Sequence, residues 1–280
     1  MNIPRHRKVI DNLDARIVQL LNQRTRHVLE IGRIKRKAGK EIYAPHREQA
    51  VLDHVARSNR GPMTDEHLRA IYREVMSSAL ALEKTMTIAY PGPESGVSHH
   101  AATWRFGSSL RYASKKTVQG VFAAVAQGRA DYGVVPMDGR TGLVPRVLEL
   151  FANADLKIVS QIVMPAEKRT QSQTGRSWRA GPARFAVLGR HCGPPTGQDR
   201  TSLLVGVVKK AGPPSKALDA FRRHNVNVRR IESYSSKRRG PFFLIDCDGH
   251  ANDKNLAAAI RYMAKQYPFI RTIGSYPKAD

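Results

Sequence analysis

The chain has 280 residues, 41% of them apolar, and a formal net charge of +24. That length accommodates about two or three domains with real cores, and no run approaches the ~20 apolar residues of a membrane span. Only Cys192 and Cys247 are present, without metal-ligand spacing, so a reducing cytoplasm is the expected location. The N-terminus leads straight into an amphipathic helix with no apolar signal region. The charge is compatible with nucleic acid, anionic small molecules or a basic proteome. Residues 166–240 carry 17 Lys/Arg against 4 Asp/Glu. They show no zinc-finger spacing, RNP-like aromatic motif or helix-turn-helix signature, so dedicated nucleic-acid recognition is not expected.

Ile10, Ile17, Leu21, Val28 and Ile31 recur at helical intervals and predict a helix from about Arg5 to Lys37. Such a helix is close to 50 Å long at about 1.5 Å per residue. Short neighbours cannot cover its apolar stripe, so a second copy of the chain is expected against it. Arg7, Arg24 and Lys35 share that stripe. A cation on an apolar face must snorkel, pair with an anion or bind a ligand, and a bound dianion would account for all three. Pro45 opens a second helix through Ala56, Asn59-Arg60-Gly61-Pro62 breaks it, and Thr64 reads as the N-cap of a third. The third turns Leu68, Ile71, Tyr72, Val75, Met76 and Ala79 inward, with Glu83 on the same stripe. Arg7, Arg24, Lys35 and Glu83 are therefore expected on buried faces, with Arg47 and Glu48 opening the second helix.

From Met86 the period changes. Strands at Met86–Tyr90, Asp131–Pro136 and Leu156–Val163 alternate with helices at Ser98–Phe106, Val118–Ala126 and Leu143–Phe151, the pattern of a small open α/β lobe. The basic piece Lys168–Arg179 reads as a linker. A βαββαβ pattern closes the chain, with strands at Ser202–Val208, Val228–Ser233, Phe242–Cys247 and Ile270–Ser275 and helices at Ser215–Arg223 and Asp253–Gln266. That order is ferredoxin-like.

The words Ile10-Asp11-Asn12-Leu13-Asp14, Leu20-Leu21-Asn22-Gln23-Arg24, Ile31-Gly32-Arg33-Ile34-Lys35, Ile42-Tyr43-Ala44-Pro45-His46-Arg47-Glu48 and Ile71-Tyr72-Arg73-Glu74-Val75 resemble the all-helical chorismate mutases. Tyr90-Pro91-Gly92-Pro93-Glu94, Ser98-His99-His100-Ala101-Ala102, Gly128 to Pro136 and Ala183 to Gly189 resemble the prephenate dehydratase domain. Arg230-Ile231-Glu232-Ser233 and Gly274-Ser275-Tyr276-Pro277 resemble the regulatory ACT domain that ends the bifunctional chorismate mutase/prephenate dehydratases. The resemblance implies a multidomain α + α/β chain: mutase helices over 1–85, a truncated dehydratase-like lobe over 86–200 with a basic linker at about 166–182, and an ACT-like domain over 201–280.

It also implies roles. Lys35 and Glu83 would meet the ether oxygen of chorismate. Arg24 and Arg47 would grip its carboxylates within one protomer, Arg7 would reach across from the other chain of a homodimer, and Glu48 would bond a substrate hydroxyl. The product would be prephenate, on the way to phenylalanine, with no cofactor and no metal. Ala79 replaces a serine that often touches a carboxylate in the family, and Ala44 an aspartate of some members; weaker binding is expected.

The dehydratase resemblance breaks down at named places. In the family roughly 80 to 90 residues, a small domain's worth, separate the strand resembling Leu156–Val163 from the Thr-Arg-Phe motif. Here 17 lie between Pro165 and Ala183. The motif itself is Ala183-Arg184-Phe185, and a methyl group cannot supply the proton that expulsion of hydroxide needs. The acidic word after the Val-Val-Pro strand is reduced to Asp138-Gly139-Arg140-Thr141. Ser98 and His99 read as a helix N-cap and its neighbour. The words of the phenylalanine site become Gly212-Pro213-Pro214 and Glu232-Ser233-Tyr234-Ser235, so effector binding through Gly212, Glu232 and Ser233 is in doubt. Three other readings compete with a mutase bearing an inactive lobe: a working bifunctional enzyme, a prephenate decarboxylase, and a non-catalytic regulatory or polyanion-binding protein.

Overall fold

The computed structural model describes residues 2–39, 41–137, 144–164, 183–206, 214–236 and 240–278. The chain divides into two compact units. Met1–Ala44, Ala50–Met86 and Phe106–Leu110 form the first; Pro45–Gln49, Thr87–Arg105 and Arg111–Asp280 form the second.

Three helices build the first unit: α1 (Ile3–Lys37), α2 (Pro45–Ser58, its first five residues grouping with the second unit) and α3 (Asp65–Glu83). The Asn2 side chain caps α1 by accepting from Arg5 N, and Lys35, Arg36 and Lys37 in its last turn complement the negative end of its dipole. Thr64 caps α3 by accepting from His67 N at 3.2 Å. Met76, Ser77 and Ala79 are the buried residues of α3; Ile71, expected inward, is exposed. Residues 106–110 lock onto α3. Gly107 adopts φ +74 with no room for a side chain, because a Cβ there would lie 2.4 Å from Ser77 Cβ. Ser108 donates from N and Oγ to Glu74, and Ser109 N donates to Ser77 Oγ. Along all 35 residues of α1 only Gly32 is buried, and Ile10, Ile17, Leu21 and Ile31 are exposed.

The second unit contains two sheets. The first comprises β1 (Thr87–Pro91), β2 (Arg111–Lys115), β3 (Tyr132–Pro136), β4 (Lys157–Met164) and β5 (Ala183–Gly189), in the order β2-β1-β3-β5-β4. β1 runs parallel to β2 and β3, and β5 runs antiparallel to β3 and β4. Helices α4 (Val97–Phe106), α5 (Val118–Ala126) and α6 (Val144–Asn153) connect its strands. The linker at about 166–182 and the Asp138–Thr141 word lie outside the described residues. β6 (Asp199–Gly206), α7 (Pro214–Arg223), β7 (Val228–Ser236), β8 (Gly240–Asp248), α8 (Lys254–Ala264) and β9 (Phe269–Pro277) follow. They make an antiparallel sheet in the order β7-β8-β6-β9, the ferredoxin-like arrangement.

Alternation along the second sheet's strands divides its side chains between two cores. Leu203, Val205, Phe243 and Ile245 face α7 and α8, packing on Phe221, Leu256 and Met263. Leu204, Phe242, Leu244 and Tyr276 point the other way, into one core with Val147, Leu148, Phe151 and Ile158 of the α/β lobe. At that contact a Cβ on Gly274 would lie 2.3 Å from Ile158 O, so the backbones of β9 and β4 touch.

Phe151 is fully buried in the shared core, edge-on to Phe122 with ring centroids 5.0 Å apart. Phe151→Ala should destabilise the second unit by about 3–5 kcal/mol. Calorimetry should show the lobe and the ferredoxin-like sheet melting in one shifted transition. Two separate transitions, only one of them shifted, would show that the core is not shared.

Candidate active site in the helical unit

Glu83 is the last residue of α3. Its carboxyl lies against α1 at Gly32, where a Cβ would stand 2.7 Å from Glu83 Oε2. Glycine in a helix interior costs roughly 1 kcal/mol against alanine, and here it makes the space in which the carboxyl sits. Lys35, three residues after Gly32 and about 60° round α1 from it, donates from Nζ to Ile42 O at 2.8 Å. Arg36 Nη1 donates to Glu83 O at 2.7 Å. Burial pushes the Glu83 carboxyl above the ordinary range, while the charges of Lys35 and Arg36 pull it back.

Among the described residues of this unit, Arg24 Nη1 and Glu83 Oε2 are buried without a hydrogen-bond partner. Buried polar atoms are normally satisfied, and each exception calls for an explanation. A guanidinium nitrogen and a carboxyl oxygen left open along α1 suit an anionic ligand that also accepts a hydrogen bond from an acid. Arg24 lies eleven residues before Lys35, three turns along the same face of α1.

Arg7 is exposed, not on a buried face, and lies about 25 Å along α1 from Arg24. It cannot join Arg24 and Lys35 in its own chain. Arg47 is exposed, and Glu48, in the second unit, pairs with Arg105 at 3.1 Å. The sequence reading missed Gly32 and Arg36. A glycine inside a long helix signalled the first; the absence of any basic residue in the last turn of α3 is the only hint of the second.

In the second unit the altered motif lies on β5. Ala183 and Phe185 are buried in the sheet, opposite Met164 and Ile162 of β4. Arg184 reaches Glu232 of β7 at 3.8 Å, and burial lowers its pKa. Arg230 and Tyr234 also bond Glu232. Burial pushes the Glu232 carboxyl up, but the bonds from Tyr234 and Arg230 and the neighbouring guanidinium charges outweigh it and hold it below the ordinary range. Ser233 is exposed, and Gly212 lies outside the described residues. Ser98 sits within the first turn of α4, not at its cap. His99 lies 4.9 Å from the Tyr90 ring and 5.6 Å from that of Tyr112, its pKa lowered first by burial and then by His100.

Residues 6–84 match the family model for chorismate mutase type II, and residues 88–179 that for prephenate dehydratase. A bifunctional chorismate mutase/prephenate dehydratase of Aquifex aeolicus is 31% identical, over 98% of this chain and 97% of its own length. Another from Neisseria gonorrhoeae is 28% identical, over 98% and 96%. The alignment with the Aquifex protein runs over 351 positions, which 280 residues cannot fill, so the relative carries sequence that this chain lacks. The structure of prephenate dehydratase from Arthrobacter aurescens in complex with L-Phe shares the fold, with a TM-score of 0.58 at 20% identity, over 70% of this chain and 91% of that one.

The position of Glu83 has a consequence for stability. Its carboxyl binds a proton more tightly folded than unfolded, so its contribution to stability is full below the ordinary carboxyl range. That contribution is lost as pH rises through the raised pKa. Glu83→Gln should remove this component. Urea unfolding of both proteins across mildly acidic to neutral pH should show the difference between their stabilities changing with pH; a constant difference would mean that Glu83 is not perturbed.

Proposed function

Because the chain belongs to the bifunctional chorismate mutase/prephenate dehydratase family, we propose that its helical unit converts chorismate to prephenate and that its dehydratase-like lobe does not act on the product. The carrying observation is the half-buried Glu83 carboxyl seated over Gly32, its pKa raised by burial and lowered by the charge of nearby Lys35, within the segment that matches the mutases. Chorismate has two carboxylates and an ether oxygen, and its rearrangement is unimolecular. Catalysis therefore needs no nucleophile. It needs the reactive conformer held and the charge growing on the ether oxygen met by donors. In this reading the Lys35 ammonium and the protonated Glu83 donate to that oxygen. Arg24 clamps a carboxylate with the forked geometry that guanidinium provides.

Arg7 enters this scheme from a second copy of the chain. The exposed Ile10, Ile17, Leu21 and Ile31 support that reading, because a partner helix would cover them, and so does Arg7's distance from Arg24. The two free cysteines, Cys192 and the buried Cys247, fit a reducing compartment, and we read the location as cytoplasmic.

Two observations support an inactive lobe. β4 and β5 pair directly, Met164 opposite Ala183, with only residues 165–182 between them, and the Aquifex relative carries sequence that this chain lacks. Ala183 presents a buried methyl group where a proton donor is required. Glu232 is already engaged by Arg184, Arg230 and Tyr234, which argues against its holding the ammonium of an amino-acid effector.

Arg24→Ala and Lys35→Ala should each lower mutase kcat/KM at least tenfold, about 1.4 kcal/mol of transition-state stabilisation, with helicity by circular dichroism unchanged. Activity should fall as pH rises and Glu83 ionises, and Glu83→Gln, which always donates, should flatten that fall. Wild-type kinetics in either cation variant would refute the site.

With prephenate as substrate at neutral pH, purified protein should form phenylpyruvate no faster than buffer, read at 320 nm in alkali. Ala183→Thr alone should not rescue it, since positioning requires both walls of a cleft. Phenylpyruvate formed in proportion to wild-type protein would establish a working dehydratase.

A further inference from the structure

The last carbonyls of a helix lack intrahelical donors and carry the negative pole of its dipole. α3 has no basic residue in its last turn to answer them. The answering cation comes from α1, where Arg36 Nη1 donates to Glu83 O at 2.7 Å. Gly32 and Arg36 are four residues apart, on one face of α1. They hold the same residue by its two ends: Gly32 leaves room for the carboxyl, and Arg36 ties down the backbone.

We propose that Arg36 is a positioning residue for the rearrangement: it pins the last turn of α3 so that the Glu83 acid group is presented beside Lys35 at the reacting oxygen. This rests on the mutase reading above. Arg36 is itself exposed and acts through Glu83, not on substrate. The charged groups facing Glu83 are Lys35 and Arg36, both from α1. Removing Arg36 therefore loosens the acid and also removes one of two charges that favour its ionised form.

The test is steady-state mutase kinetics across pH on the full-length chain carrying Arg36→Leu or Arg36→Lys. Arg36→Leu should lower kcat about 10- to 100-fold with KM changed less than about threefold, and should move the alkaline fall of kcat to higher pH. Arg36→Lys keeps the charge, so its fall should stay near that of wild type while kcat recovers in part. In a Glu83→Gln background, Arg36→Leu should still lower kcat but should have no alkaline fall to move. A lower melting temperature with wild-type kcat and an unmoved profile would mean that Arg36 only supports the fold, and would overturn the proposal. Should Arg36→Leu fail to fold, Arg36→Lys and Arg36→Gln carry the same comparison. If wild-type protein does not consume chorismate, the function reading itself fails. The hold on Glu83 is then read by carbon NMR titration of its carboxyl: a higher pKa in the charge-removing variant sustains it, and an unchanged one overturns it.

Discussion

The helical unit depends on a close approach between the end of α3 and the last two turns of α1, made possible because residue 32 has no side chain. Three opposed effects meet there. A glycine weakens α1 by roughly 1 kcal/mol, desolvation penalises the Glu83 carboxylate, and two cations from α1 draw it back. The outcome is a carboxyl whose pKa lies above the ordinary range, with the charges of Lys35 and Arg36 near it. A general stabilising ion pair would have been built differently, with the carboxylate ionised and both oxygens bonded. Here one oxygen is buried and left open, at a cost in stability that makes sense when a ligand supplies the missing partner.

The second unit answers a different problem. An open sheet must cover both faces, and the ferredoxin-like sheet does so with helices on one side and the α/β lobe on the other. The polar residues at that junction are bonded to each other: Ser202 donates to Asp246 at 2.6 Å and meets Tyr276 at 2.7 Å, while Arg184 faces Glu232. Arg184, next to Ala183 on β5, turns its guanidinium toward Glu232 of the C-terminal sheet. A continuous apolar core joins the two sheets across that junction.

Much of this was legible in the residues. The three helices follow from apolar period, Pro45 and the Thr64 cap, and the βαββαβ order follows from alternating runs between turns. What escaped did so for physical reasons. β2 is an edge strand, Arg111-Tyr112-Ala113-Ser114-Lys115, with no fully buried residue, so no apolar alternation marks it. Ile71 fits the stripe of α3 but remains exposed, because period gives a face and not what covers it. Arg36 looked like one more surface cation; its partner is a backbone carbonyl 47 residues away, which no side-chain pattern can announce. The ties on Glu232 were hidden in the same way, since Arg184 reaches it from a strand of the other sheet.

The exposed stripe of α1 and the position of Arg7 are independent features that lead to the same requirement. Burying an isoleucine or leucine side chain is worth about 1.5–3 kcal/mol, so leaving Ile10, Ile17, Leu21 and Ile31 in water forgoes a large fraction of what a domain's net stability amounts to. A helix of 35 residues with one buried position gains little from its own unit. The arginine on that face, meanwhile, is more than four turns from the cluster it would serve. Two copies of α1 laid antiparallel would remedy both at once: each would cover the other's stripe, and each would carry its Arg7 toward the Arg24 end of its partner. Hydrophobic burial would then be what assembles the charge constellation. Mutations on the apolar stripe would be felt as lost catalysis even though none of those side chains touches a substrate.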